Sequence, residues 1–210
     1  MKQYIYVLIL CVCALGTKAQ DMKTVFIAMP DQYIPQLESA WRKDLVDLYE
    51  SGKEARLKNT MNGYSQLMKL TANYLLLQTT ERSVVEMKLF PLVNNTHIIC
   101  MLTTISAPAP DSRVDFYTTE WKPLAVSDLI SPVSADWFIK EDADKNSDAY
   151  KDAMAHLDMD LIKYRLNPDN QTLEAVYATP LYLGAKQRND ITPFLKDTPK
   201  VYTWEKFYFK

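Results

Sequence analysis

The sequence predicts an α+β fold, with antiparallel β-meanders in two duplicated halves and helices covering one face. An amphipathic helical stripe near residue 40 is followed by alternating, β-favouring runs that short turn sequences separate. A hairpin followed by an aromatic strand then occurs twice along the chain. We therefore divide the chain into a signal peptide (1–19), a helix plus β-meander half (20–127), and a linker with a helix plus the second meander half (128–210).

The first 19 residues have the three-part layout of a secretory signal. Lys2 supplies the positive start, an apolar run reaches Cys13, and the small residues Thr17 and Ala19 precede a cleavage point at Gln20. The apolar run is about half of the ~20 residues that span a bilayer, which argues against a transmembrane anchor after cleavage. We expect a periplasmic or secreted protein, with an uncleaved anchor as the alternative.

The composition that remains after cleavage excludes several classes of function. Lys2 and Lys18 leave with the signal, so 22 basic residues face 26 acidic ones, and a weakly acidic chain is not expected to bind nucleic acid. Cys100 alone remains of three cysteines, in an apolar string that predicts a buried thiol without a disulfide partner. Only four glycines occur, which argues against glycine-rich phosphate loops and nucleophile elbows.

The first element is predicted to be a helix that covers the sheet. Its apolar stripe has spacings of three and four and consists of Ile34, Leu37, Trp41, Leu45 and Leu48. Pro35 suits a first helical turn, and Gly52 suits the position just after the last. Four charged residues lie off the stripe and are expected in solvent: Arg42, Lys43, Asp44 and Asp47.

Strands are predicted through most of the remaining chain. Asn62-Gly63 is a strong turn pair. In the run 84–92, Glu86 and Lys88 alternate with apolar residues, which assigns them to a solvated face. The predicted strands cover 64–70, 74–79, 84–92, 96–105, 113–121, 161–166, 173–179 and 201–209.

Two parts of the chain resemble each other. The hairpin 85–105 and the hairpin 161–179 both contain an asparagine turn between alternating strands. An aromatic strand follows each hairpin, at 114–121 and at 201–208, and a longer insertion at 181–199 delays the second one. A repeat of this length predicts duplication of a three-stranded meander.

Two strings carry a resemblance to a known family. They are DSRVDFYTTEWKPL at 111–124 and FLKDTPKVYTWEKF at 194–207. Both resemble an uncharacterised family of exported proteins from Gram-negative gut anaerobes, a domain of unknown function. The resemblance covers most of the mature chain and implies no catalytic residues. The duplicated plan is also similar in architecture to β-lactamase-inhibitor-like and PepSY-like secreted domains, a likeness that implies no function.

An acidic segment is a candidate calcium loop. Asp142, Asp144, Asn146 and Asp148 alternate, and a hard cation prefers several oxygen ligands from one turn. The pattern lacks the glycine and the closing glutamate of an EF-hand, because Ser147 and Ala153 occupy those positions. The alternative interpretation is a solvated acidic linker that leads into a short helix at 147–155.

A second candidate metal site lies just downstream. If residues 156–160 are extended, then His156, Asp158 and Asp160 share one face and could bind a divalent metal. The alternative is a strand with one wet face. The other histidine, His97, lies in a different predicted strand.

Aromatic residues provide the candidate binding surface. Tyr117, Trp121, Trp204 and Tyr208 fall at matching places in the two copies, and aromatic side chains often anchor interfaces. Core packing is the alternative use.

We expect an exported, non-enzymatic binding or interaction module of the cell envelope, whose partner is a protein or an envelope component. Two alternatives stay open: a small exported hydrolase or metal-dependent enzyme, and a calcium-responsive structural domain. Catalytic residues are not expected, and calcium is the one cofactor considered.

Overall fold

The computed structural model describes residues 21–210, so the predicted signal peptide lies outside the described residues. Within that range the helices are α1 (Met22–Ile27), α2 (Ser39–Glu50), α3 (Asp148–Met154), α4 (Thr179–Tyr182) and α5 (Ala185–Ile191). Across residues 21–210, each helix falls short of the length and apolar content that a membrane crossing requires.

Two antiparallel sheets make up most of the protein. Sheet A has seven strands in sequence order: β1 (Arg56–Lys58), β2 (Tyr64–Leu70), β3 (Tyr74–Thr80), β4 (Ser83–Pro91), β5 (His97–Ser106), β6 (Pro110–Thr118) and β7 (Pro123–Leu124). Sheet B has four, in the order β11-β10-β9-β8: β8 (Ile162–Leu166), β9 (Thr172–Tyr177), β10 (Lys200–Glu205) and β11 (Tyr208–Phe209). The predicted α+β class with antiparallel meanders is confirmed.

The layers are helices, sheet A and sheet B, with one hydrophobic core on each side of sheet A. On the first side, Met22, Phe26 and Leu45 from α1 and α2 pack against Leu75 and Met87. On the second side, sheet A meets sheet B through Phe90, Cys100, Phe116, Leu173, Trp204 and Phe209. Cys100 is fully buried, as expected, and burial raises the pKa of its thiol.

The two predicted hairpins both form, and both meanders run in the predicted order. β4 pairs with β5 and β5 with β6, while β8 pairs with β9 and β9 with β10. The aromatic strands end earlier than predicted: β6 runs from Pro110 to Thr118, and the run 201–209 is broken by a turn at Lys206, which has a φ of 60°. The domain boundaries themselves stay a prediction.

The helix at the start differs from its prediction. It begins at Ser39, not at Pro35, and ends before Gly52, whose positive φ suits that position. The prediction that Arg42 faces solvent is wrong, because its side chain is fully buried. The segment 29–37, which contains a short 3-10 helix at Asp31–Tyr33, lies over the start of α2, and Arg42 donates to the carbonyls of Leu37 and Met29 and to Asp31.

The expectation that Glu86 and Lys88 lie on a solvated face is also wrong. Sheet B covers that face, so Glu86 is 7% exposed and Lys88 is 1% exposed. The Lys88 ammonium donates to three backbone carbonyls of the β8–β9 turn, those of Asn167 (2.6 Å), Pro168 (3.0 Å) and Asn170 (2.7 Å).

The outer edge of β8 is satisfied by side chains of sheet A. The backbone N–H of Ile162 donates to Asp111 Oδ1 (3.1 Å), and that of Tyr164 donates to Ser112 Oγ (3.0 Å). The next outward amide, at Leu166, donates to Glu86 Oε2 (3.1 Å), which also accepts from the Tyr74 hydroxyl. Edge strands normally leave their outward N–H groups unpaired. On β8, side chains of sheet A accept from these N–H groups instead of a neighbouring strand.

Candidate functional site

Three of the four aromatic candidates lie in the hydrophobic cores. Tyr117, Trp121 and Trp204 are each 5% exposed. Tyr117 and Trp121 pack on Tyr33, with ring centroids 4.7 and 5.4 Å away, and the Trp121 indole donates to the carbonyl of Val25 (3.0 Å). Their burial favours the packing interpretation that the sequence left open.

Trp204 and Tyr208 belong to the second core and its rim. Trp204 packs on Phe90 and Phe209, at 5.1 Å from each ring, and its indole donates to the carbonyl of Pro91 (2.9 Å). Tyr208 is half-buried and contacts Phe207. Binding through Tyr208 stays a prediction.

The acidic segment 142–148 is a turn that leads into α3, which begins at Asp148. Asp144 Oδ1 accepts from the backbone N–H of Asn146 (3.0 Å), and the Asp144 carbonyl accepts from Ser147 Oγ (2.8 Å). Ser147 Oγ in turn caps α3 by accepting from the N–H of Tyr150 (3.2 Å). The predicted short helix is confirmed, and calcium binding by Asp142, Asp144, Asn146 and Asp148 stays a prediction.

The segment 156–160 is a turn and irregular chain, not a strand. His156 Nδ1 lies 3.4 Å from Gln187 Nε2, and Asp160 accepts from the Tyr177 hydroxyl (3.3 Å). In the described part of the chain, no three His, Cys, Asp or Glu side chains converge into a metal-binding group. The structure therefore does not bring His156, Asp158 and Asp160 together on one face.

A hollow of about 470 Å³ between α3 and α5 does place His156 near carboxylates. Asp152 and Asp190 line it, together with Asn189 and Phe194. The side chains that line this hollow include no serine, threonine or cysteine, so it lacks the nucleophile of a serine or cysteine hydrolase.

A different surface, which the sequence analysis did not single out, has the composition of an interface. Sheet B packs on the second side of sheet A over β4, β5, β6 and the start of β3, where Tyr74 is buried, whereas within residues 21–210 β1, β2 and the Gln78 end of β3 contribute no buried residue to that core. We call the uncovered part the open face; it consists of Arg56, Lys58, Tyr64, Gln66, Met68, Lys69 and Gln78.

Strand register places these side chains on one face. Arg56 pairs with Gln66 and Lys58 with Tyr64, and directly paired residues of antiparallel strands point to the same side. The Arg56 guanidinium lies 4.2 Å from the centre of the Tyr64 ring, a cation–π contact. Gln66 pairs in turn with Gln78, which extends the open face to β3.

A β-bulge shapes the far end of the open face. Leu67 pairs with Leu77 and Lys69 pairs with Leu76, so Met68 is the extra residue of β2. Met68 is 51% exposed, and Lys69 lies over the ring of Tyr74 at 5.8 Å. The bulge thus presents an apolar and a cationic side chain next to each other.

The near end of the open face is held rigid by one buried asparagine. Asn59 Nδ2 donates to Ser65 Oγ (3.1 Å) and to the carbonyl of Thr79 (3.0 Å). Its Oδ1 accepts from the backbone N–H groups of Met61 and Gly63, both at 3.1 Å. These four bonds fix the turn that carries Met61 and leads into Tyr64, which are 60% and 51% exposed.

A shallow hollow of about 310 Å³ adjoins this turn. Met61, Tyr64, Glu81 and Arg82 line it, with Asn59, Gly63 and Thr80. Tyrosine, methionine and arginine are the residue types enriched in protein interfaces, and all three occur here. The turn pair Asn62-Gly63 was the only sequence signal that pointed to this region.

Comparisons with known proteins place the fold but assign no activity. The family described as Protein of unknown function (DUF3256) matches residues 14–209. The chain is similar to a solved structure, described as a domain of an uncharacterized protein from Porphyromonas gingivalis W83, with a TM-score of 0.81 and 28% sequence identity. That match covers 91% of this chain and 98% of the other. No curated protein matches the sequence.

Proposed function

We propose that this chain, which belongs to the DUF3256 family of proteins of unknown function, is an exported binding module of the cell envelope. It holds a partner on its open face and catalyses no reaction. The signal layout of residues 1–19 supports export.

One observation carries the proposal: sheet B leaves bare the open face and the turn that adjoins it, where three large apolar side chains are exposed close together in sequence. Met61, Tyr64 and Met68 lie within eight residues of one another and are each at least half exposed. Single exposed apolar residues are ordinary, whereas a group of them beside arginine is typical of a binding surface.

The buried charged groups support a binding role over a catalytic one. Arg42, Glu86 and Lys88 are each used in hydrogen bonds that join parts of the fold. Burial of Cys100 keeps its thiol protonated and away from substrate.

Site-specific photocrosslinking in cells that make the protein tests the proposal. A benzoylphenylalanine at position 64 or 68 is expected to yield one discrete adduct, because the partner covers both residues. The matched control is position 203, where exposed Thr203 lies on sheet B. An identical adduct pattern at all three positions, or no adduct at 64 and 68, would contradict the proposal.

A second candidate function, acid–base hydrolysis, is favoured by the hollow that contains Asp152, His156 and Asp190. It predicts turnover of simple glycoside or ester substrates that Asp152→Asn and Asp190→Asn both abolish. Activity that survives in either variant would exclude this hollow as its source.

A further inference from the structure

We propose that the partner presents an acidic polypeptide segment to the open face, one that carries carboxylates together with apolar side chains. This inference rests on the proposed binding function and names the chemistry of the ligand. Three observations support it: the positive charge of the open face, the lack of ion-pair partners for that charge among residues 21–210, and the apolar side chains beside the cations.

The open face belongs to a positively charged stretch of an acidic protein. Residues 53–82 hold five basic and two acidic residues, whereas the other positions of the chain hold 19 basic and 24 acidic ones. A local positive field in a protein of opposite net charge attracts anionic partners and speeds their association.

In the described part of the chain, the cations of the open face form no ion pair, and neither does Arg82 in the adjoining hollow. Among residues 21–210, the ion pairs that form involve none of Arg56, Lys58, Lys69 and Arg82. Arg56 and Lys69 instead lie over the rings of Tyr64 and Tyr74. An arginine held over a ring keeps its outward N–H groups free for a carboxylate.

The apolar side chains distinguish a polypeptide from other anions. Tyr64 lies beside its strand partner Lys58, and Met68 lies beside Lys69, so a ligand that follows the open face meets both charge and apolar surface. An extended polypeptide presents every second side chain to the surface it lies on, and one whose side chains on that side include carboxylates and apolar groups matches both. A polysaccharide supplies the charges without matching apolar groups.

Binding of a random copolymer of glutamate and tyrosine, followed by fluorescence anisotropy, is the test. The wild-type protein is expected to bind it saturably, and affinity is expected to fall at least tenfold between about 50 mM and 500 mM salt because the contacts are exposed charges. The double variant Arg56→Glu/Arg82→Glu is expected to lose at least tenfold in affinity. Lys163→Glu, an exposed charge reversal on sheet B, is the matched control and should bind as the wild type does.

Three further probes decide between ligand classes: heparin, phosphatidylglycerol vesicles and a single-stranded oligonucleotide. Binding of any of these through Arg56 and Arg82, at an affinity equal to or above that of the copolymer, would overturn the polypeptide assignment. Copolymer binding that the double variant leaves unchanged would overturn the inference as well.

Failure of the inference and failure of the proposed function give different results. If the open face binds a partner that is not acidic, the adducts at positions 64 and 68 persist in the Arg56→Glu/Arg82→Glu background. If the open face binds nothing, those adducts are missing from the wild type too.

Discussion

One side of sheet A contains two regions built by the same alternation of side chains, on different strands and in opposite environments. The covered region, which includes Phe90, Cys100 and Phe116, is sealed by sheet B and buries Glu86 and Lys88. The open face on β1 to β3 carries glutamine, methionine, tyrosine and arginine, and Tyr64 and Met68 are each 51% exposed there.

The difference shows where polar groups can be buried in a sheet-to-sheet contact. Burial of Glu86 and Lys88 is tolerated because both side chains have hydrogen-bond partners in sheet B. An N–H group of β8 donates to Glu86, and three carbonyls of the β8–β9 turn accept from Lys88. Sheet B supplies no such hydrogen-bond partners to the open face within residues 21–210, so the polar groups of the open face stay hydrated or meet a partner. The following predictions test this contrast, from the largest expected effect to the smallest.

Phe90→Ala is expected to destabilise the protein by about 4 kcal/mol, because truncation leaves a cavity between the sheets. Phe90 is fully buried and contacts the rings of Trp204 and Phe209. Urea unfolding followed by tryptophan fluorescence measures the change. Val93→Ala, at a side chain that is 81% exposed three residues away, should change the unfolding free energy by less than about 0.5 kcal/mol.

Lys88→Ala is expected to lower the free energy of unfolding by about 3 kcal/mol, because three carbonyls lose a charged donor that water cannot fully replace. Chemical unfolding of this variant is compared with that of Lys163→Ala, which removes an exposed lysine from β8. Equal stabilities of the two variants would refute the proposed role of Lys88 in holding sheet B on sheet A.

Glu86→Gln is expected to alter the pH dependence of stability. Burial raises the pKa of Glu86, and its bonds from the Leu166 N–H and the Tyr74 hydroxyl only partly oppose this. The pKa of Glu86 is higher in the folded protein than in the unfolded one, so ionisation of Glu86 opposes folding. The wild type therefore loses stability as the pH rises from the unfolded-state pKa to the folded-state pKa of this group. The stability difference between Glu86→Gln and the wild type should therefore move in favour of the variant between pH ~4 and pH ~8. Urea unfolding across this range measures it, and a pH-independent difference would contradict the assignment.

Met68→Ala and Tyr64→Ala are expected to change the unfolding free energy by less than about 0.5 and 1 kcal/mol, since both side chains are half exposed. Thermal unfolding checks both values. A loss of several kcal/mol would mean that these residues hold the fold together, which would remove them from the open face as a free surface.

Much of the fold was predictable because local patterns determine it. The hairpins β4–β5 and β8–β9 alternate and contain turn residues, and the strand 64–70 was predicted with its observed bounds. The predicted start of α2 was too early, because the apolar residues Ile34 and Leu37 continue the helical spacing. Both side chains are buried, but they lie in the chain before the helix begins at Ser39.

The candidate site was not predictable, because its definition depends on where sheet B ends. Alternation assigns Glu86 and Tyr64 alike to the second side of sheet A, and only the docking of β8 buries one and leaves the other exposed. For the same reason Trp121 and Trp204, which match in sequence, proved to be core residues of two different clusters.

The closed edge of β8 has a consequence for how the two sheets come apart. Amides on the outer edge of a sheet ordinarily exchange with solvent faster than their paired neighbours. Here the outward amides at 162, 164 and 166 are bonded to Asp111, Ser112 and Glu86. These amides should therefore exchange only when sheet B separates from sheet A, so the rate of deuterium uptake at the three positions measures that separation.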